Sequence, residues 1–129
     1  MSDDEGPGGR SAVTFLVAGH EPVIASRADD WWGRARGLLF RPPLARGQGL
    51  LISPCSSVHT FLMRQTIDVV YLSEDLRVLK TASRVRPWRF SLCRRGARHT
   101  LELAAGEIER LELEPGARLS VHRAPELAR

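Results

Sequence analysis

Short apolar runs separated by turn residues recur along most of the chain. Turn signals bound these runs, as at 115–116, where proline presets φ and the following glycine tolerates a positive φ. Many short strands at close spacing are typical of antiparallel sandwiches and barrels. The pattern therefore predicts a mainly β fold, a compact antiparallel β-sandwich or barrel with two short helices. The predicted strands lie at residues 13–17, 23–25, 50–52, 58–63, 67–72, 76–85, 99–104 and 117–122.

Two segments carry helical signals. Asp30 is a suitable N-cap, and apolar residues recur from Trp31 onward at intervals of three and four. The Arg-Pro-Pro sequence at 41–43 ends this pattern, because the residue before a proline is pushed out of the α region. We expect a first helix over residues 30–39 and a second over residues 107–111.

The length of 129 residues suits a single domain. We expect a disordered, glycine-rich tail at 1–10, one globular β domain at 11–124 and a C-terminal tail at 125–129. No apolar run approaches the roughly 18 residues of a membrane helix. The first ten residues also lack the basic start and apolar stretch of a secretory signal. We therefore predict a cytoplasmic protein without a membrane span.

Positive charge is concentrated in one part of the chain. Between Leu76 and Leu101 there are eight Arg and Lys residues and no acidic residue, and Trp88 and Phe90 lie among them. Arginine with interleaved aromatic residues can bind phosphates and stack on bases. The acidic residues from Glu102 onward could neutralise this charge in the folded protein. The predicted anion-binding residues are Arg84, Arg86, Arg89, Arg94 and Arg95.

Asp68 lies inside an apolar run, where a buried carboxylate is costly unless it has partners. It is therefore expected either to cap a bend or to pair with an arginine or histidine. We group it with four other residues as the predicted polar cluster, which is either a structural tie or the floor of a small cleft. The cluster consists of Arg41, His59, Thr60, Met63 and Asp68.

The two cysteines are expected as reduced thiols in the cytoplasm, and the sequence leaves open whether they pair. Cys55 with His59, and Cys93 with His99, are zinc-ligand types, but their spacing is not that of a tight zinc knuckle. An extended strand would hold Cys55 about 13 Å from His59, too far for a thiolate–imidazole nucleophile.

We predict no metal and no cofactor. Phosphate-binding glycine loops, nucleophile elbows and metalloprotease helix motifs are missing from the sequence.

Five sequence blocks, taken in order, resemble the family called domain of unknown function 192. They are RARGLLFR at 34–41, GLLI at 49–52, HTFLMR and IDVVYL within 59–72, LELAAG at 101–106, and LEPGARL at 113–119. The resemblance implies a compact, mostly β domain with short helices, and it implies no established activity, cofactor or substrate.

Two positions depart from the family pattern. Thr66 stands where the pattern often has proline, and the His59-Thr60 form replaces a form that contains tryptophan. Arg41 and Asp68 are the charges that flank apolar segments in two of the blocks. We therefore expect a direct or water-mediated contact between them.

The leading functional hypothesis is a non-enzymatic binding or assembly module for an unidentified protein partner, built around His59, Met63 and Asp68. One alternative is a small-molecule-binding protein or enzyme that uses His59 as a base and Asp68 to orient it. Another is nucleic-acid or polyanion binding through residues 84–98. An exposed apolar patch would favour the first hypothesis, an enclosed pocket with His59 and Asp68 the second, and an uncompensated basic face the third.

Overall fold

A computed structural model of the protein describes residues 12–28, 43–54, 57–59, 65–94 and 96–122. The strands in these ranges are β1 Ala12–Leu16, β2 Val23–Ala28, β3 Gln48–Ile52, β4 Ser57–His59, β5 Ile67–Leu72, β6 Val78–Val85, β7 Phe90–Leu92, β8 His99–Ala104 and β9 Ser120–His122. The same ranges contain one short helix, α1, at Glu107–Arg110.

Seven of the strands form one mixed sheet in the order β6-β5-β8-β3-β2-β1-β9, and β4 pairs with β7 in a separate two-stranded sheet. The prediction of a mainly β fold is confirmed. The large sheet is open and mixed, and the predicted sandwich or barrel arrangement is not confirmed. β2 and β3 run parallel, which requires a long crossover in place of a hairpin. Backbone hydrogen bonds join residues 76–78, at the start of edge strand β6, to residues 116–119, which precede edge strand β9, and an isolated bridge joins Arg77 to Arg118.

The predicted bounds agree best with the structure where both faces of a strand are buried. β5 and β8 occupy the predicted ranges 67–72 and 99–104, and every residue of β5 is buried. The second predicted helix is found as α1, one residue shorter than expected. β7 was not predicted, because Phe90–Leu92 lies among cations without a long apolar run. The helix expected at 30–39 falls outside the described residues.

Opposite faces of the large sheet contribute to two separate apolar cores. The first core contains Leu51, Leu101 and Val70, which lie next to one another on adjacent strands. Residues of α1 and of the segment after it, namely Ile108, Leu111, Leu113 and Leu119, pack against this face. The second core lies on the other face and consists of Ile67, Val69, Tyr71, Cys93 and Ala97.

Candidate functional site

Asp68 is fully buried on β5, and its carboxylate accepts three hydrogen bonds from backbone N–H groups. Oδ1 accepts from Arg84 at 2.8 Å. Oδ2 accepts from Gly106 at 3.0 Å and from Ile108 at 2.9 Å. Three such bonds compensate the burial of a carboxylate that has no side-chain partner among the described residues.

The backbone N–H groups of these three residues have no acceptor within a regular sheet or helix. Arg84 has a φ of 50° and lies where the register between β5 and β6 shifts. Gly106 and Ile108 lie at the start of α1, whose first N–H groups have no acceptor within the helix. Asp68 therefore caps both a bend and a helix start, which is one of the two roles that its burial predicts.

The rest of the predicted polar cluster is described only in part. Arg41, Thr60 and Met63 lie outside the described residues, so the expected contact between Arg41 and Asp68 stays a prediction. His59 ends β4, where its backbone pairs with Phe90 of β7.

A groove of about 590 Å³ lies between β6 and β7. Its lining is mainly apolar, and Asp68 is not part of it. Phe90 is 60% exposed and Leu92 is 37% exposed, while the nearby Trp88 is 58% exposed. The described residues thus include an exposed apolar patch next to a concave surface. The lining residues are Leu79, Lys80, Ala82, Phe90, Ser91, Leu92, Cys93 and Arg94.

Two hydrogen bonds hold the walls of this groove together. The Lys80 ammonium donates to the carbonyl oxygen of Leu92 at 2.6 Å and lies 6.0 Å from the centre of the Tyr71 ring. The Tyr71 hydroxyl donates to Ser91 Oγ at 2.8 Å. Both bonds connect β7 to the large sheet, so the groove is fixed to the second core.

The predicted anion-binding arginines do not form one uniform surface. Arg94 lines the groove, whereas Arg84 faces Glu109 at 3.9 Å. Arg89 donates to the carbonyl oxygen of Trp88 at 3.4 Å. Arg86 is exposed, and Arg95 lies outside the described residues. Within the described ranges, Lys80 and Arg94 have no carboxylate partner.

Glu102 is a second buried acid, which the sequence analysis missed. It lies on β8 between Leu50 of β3 and Val69 of β5, and it is 5% exposed. Burial raises the pKa of its carboxyl to about 7. The signal was present in the sequence, because Glu102 is flanked by Leu101 and Leu103 just as Asp68 is flanked by apolar residues.

The described part of the chain contains no compact cluster of cysteine, histidine and carboxylate side chains. Cys93 is buried and reduced at the base of the groove, and Cys55 lies outside the described residues. No group of three or more His, Cys, Asp or Glu side chains in the described ranges is placed to hold a metal ion. None of the helical structure described there is long and apolar enough to cross a membrane.

Comparison with known proteins gives a family and several relatives. The sequence matches the DUF192 family, described as "Uncharacterized ACR, COG1430", over residues 14–121. A UPF0127 protein of Pyrococcus furiosus is 36% identical over 114 residues, which cover 84% of this chain and 96% of that protein. A UPF0127 protein of Thermococcus sibiricus is 35% identical over 94 residues, which cover 69% of this chain and 60% of that protein.

Solved structures with a similar fold include two from bacteria. A proposed transcription regulator from Sinorhizobium meliloti 1021 has a TM-score of 0.76 at 22% identity, covering 87% of this chain and 93% of that chain. A protein of unknown function from Novosphingobium aromaticivorans has a TM-score of 0.73 at 19% identity, covering 93% of this chain and 97% of that chain. At such identities the likeness shows the fold alone.

Proposed function

We propose that this chain, which belongs to the DUF192 family, is a binding module for a partner protein. The family resemblance of the sequence blocks is confirmed, and the family description names no activity. The groove between β6 and β7 holds an extended segment of the partner that carries apolar and acidic side chains. One observation carries this proposal: an exposed apolar groove is lined by two cations, Lys80 and Arg94, without carboxylate partners among the described residues.

The apolar lining would supply most of the affinity. Large exposed apolar patches with polar rims mark interaction sites on soluble proteins. Burying one Phe or Leu side chain contributes about 1.5–3 kcal/mol, whereas an exposed ion pair contributes about 0–1 kcal/mol. Phe90 and Leu92 are therefore the expected affinity determinants.

Charge would select the partner rather than hold it. Lys80 and Arg94 lie on an apolar surface, and no acidic residue occurs between Leu76 and Leu101. Complementary charge raises association rates and rejects partners of the same sign. An acidic segment fits this surface, and a basic segment does not.

The other two hypotheses have less support. Both carboxylate oxygens of Asp68 bond to backbone amides, which weighs against its use to orient a catalytic His59. Arg84 faces Glu109, and the groove is lined mainly by carbon, which weighs against a continuous phosphate-binding face. The name of the relative from Sinorhizobium meliloti makes DNA a necessary comparison in the test.

The test is selection of phage-displayed random peptides on the full chain, followed by binding measurements with the selected synthetic peptides. We expect peptides that combine large apolar residues with Asp or Glu. Phe90→Ser should weaken their binding about tenfold or more, as expected for an apolar contact worth about 1.4 kcal/mol. Lys80→Gln should slow association and reduce its dependence on salt.

The matched control is Ile24→Ser, because Ile24 is 55% exposed on β2 and does not line the groove. It should leave peptide binding unchanged. The same protein is titrated with single-stranded and duplex DNA. Stronger binding to DNA than to peptides, with a steep salt dependence, would overturn the proposal in favour of nucleic acid. Equal peptide binding by the Phe90→Ser and Ile24→Ser variants would show that the groove is not the peptide-binding site.

A further inference from the structure

A serine hydroxyl and a histidine ring meet at one end of the large sheet, and neither residue lines the groove. Ser53 follows the last residue of β3, and His99 is the first residue of β8. The Ser53 hydroxyl donates to His99 Nδ1 at 2.5 Å when the ring proton is on Nε2. Both residues are half-buried, so the pair is reachable from solvent.

Strand register explains why these residues lie together with a cation. Arg27 of β2 pairs with Leu51 of β3, and Leu51 pairs with Leu101 of β8. Alternate residues of a strand share a face, so Ser53 and His99 continue the face of Leu51 and Leu101. Arg27, Ser53 and His99 therefore lie at the margin of the first core.

The surroundings of His99 suit a base rather than a cation. Burial, followed by the charges of Arg98 and Arg27, lowers the pKa of the imidazole below its usual range, and Glu74 opposes this shift. This shift favours the neutral ring, whose unprotonated Nδ1 can accept the proton of Ser53.

We propose that Ser53 and His99 are the nucleophile and general base of a site that hydrolyses carboxylic esters. This activity goes beyond partner binding and uses different residues. A hydroxyl becomes a useful nucleophile when a base lies within hydrogen-bonding distance. Esters with an anionic group on the acyl part fit the site best, because the positive charges of Arg98 and Arg27 act at His99 and would attract that group.

The reaction proceeds in two steps. Ser53 Oγ attacks the carbonyl carbon and forms a C–O bond, while its proton moves to His99 Nδ1. His99 then returns this proton to the leaving alkoxide as the ester C–O bond breaks, which gives an acyl-serine and an alcohol. In the second step His99 Nδ1 takes a proton from a water molecule, whose oxygen forms a C–O bond with the acyl carbon. His99 then returns that proton to Ser53 Oγ as the bond between Ser53 and the acyl group breaks, which gives the carboxylic acid and free Ser53.

The experiment treats the full chain with a fluorophosphonate and locates the modified residue by mass spectrometry of peptides. We expect modification at Ser53, and none in Ser53→Ala. His99→Gln should slow the modification about a hundredfold or more, since a general base contributes at least that much. Ser91 is the internal control, because its hydroxyl bonds to Tyr71 rather than to a base and should stay unmodified.

A second measurement follows hydrolysis of para-nitrophenyl acetate and of the para-nitrophenyl ester of succinic acid. The anionic ester should react faster, and Arg98→Gln should remove that preference. Thermal unfolding checks that each variant folds. Two outcomes would overturn the proposal: absence of modification at Ser53 in the native chain, or ester hydrolysis that persists at the native rate in Ser53→Ala.

Discussion

Asp68 Oδ1 accepts a hydrogen bond from the backbone N–H of Arg84 at 2.8 Å, and this contact fixes the end of β6 to the buried strand β5. Oδ2 of the same carboxylate bonds to the start of α1. One buried side chain thus connects the edge strand of the groove with the helix that covers the first core.

Replacement of Asp68 by Asn should destabilise the protein strongly. The amide nitrogen of Asn cannot accept a hydrogen bond, so either Arg84 or the pair of amides at Gly106 and Ile108 loses its acceptor. We expect a loss of about 2–3 kcal/mol in the free energy of unfolding, because a buried unsatisfied donor costs about 1–3 kcal/mol and the Asn amide hydrogens would face it. Urea denaturation followed by circular dichroism measures this loss.

Asp75→Asn is the matched control for that change. Asp75 is an exposed acid that pairs with Arg118 at 2.8 Å, so its replacement should cost far less stability than that of Asp68. Equal losses for the two variants would show that the three backbone contacts of Asp68 contribute little to stability.

Gly49, at the centre of the large sheet, is a second position where a substitution should destabilise the protein. A Cβ added there would lie 3.1 Å from the backbone oxygen of Glu102 and 3.1 Å from the side chains of Leu101 and Leu103. Because a backbone oxygen in a central strand cannot move aside, Gly49→Ala should cost about 1–3 kcal/mol of unfolding free energy. Urea denaturation again provides the measurement.

Gly19→Ala provides the comparison for Gly49→Ala. Gly19 has open space around its Cβ position but a φ of 80°, so its replacement should cost only the roughly 1 kcal/mol of a left-handed conformation. A Gly49→Ala variant as stable as the native chain would mean that β3 and β8 can separate without penalty.

The sequence predicts local features of this fold better than long-range ones. β5 and β8 have the predicted bounds because their continuous apolar runs are local signals. The parallel pairing of β2 with β3 depends on the path of a long connection, so the mixed sheet is not predicted by any local pattern. β7 forms by pairing with β4 across more than thirty positions of sequence, which no local pattern records.

The same division applies to the candidate site. The apolar neighbours of Asp68 predict its burial. The backbone N–H groups that donate to its carboxylate, however, belong to residues 16 to 40 positions away in the chain. The groove combines β6 with β7, so its apolar lining is spread over two short segments that look unremarkable when taken singly. Ser53 and His99 are likewise 46 residues apart and meet only through the pairing of β3 with β8.

Glu102 gives the folded protein a stability that depends on pH near neutrality. Burial raises the pKa of its carboxyl from 4.5 to about 7, so the folded state keeps a proton that the unfolded state has released. The stabilising contribution is complete below pH 4.5 and is lost as the pH rises through about 7. The full change corresponds to about 3 kcal/mol, from the 1.36 kcal/mol equivalent to each pKa unit.

Glu102→Gln should therefore remove this part of the pH dependence, because Gln is a neutral group of the same shape. The free energy of unfolding is measured in urea at pH 5 and pH 8 for both proteins. We expect the two proteins to have similar stability at pH 5 and the variant to be more stable at pH 8, by about 2–3 kcal/mol. Taking the difference between the two proteins cancels the opposing contribution of His99, whose pKa is lowered and whose stabilising effect therefore grows with pH. A difference between the two proteins that stays constant from pH 5 to pH 8 would show that Glu102 is ionised in the folded state throughout this range.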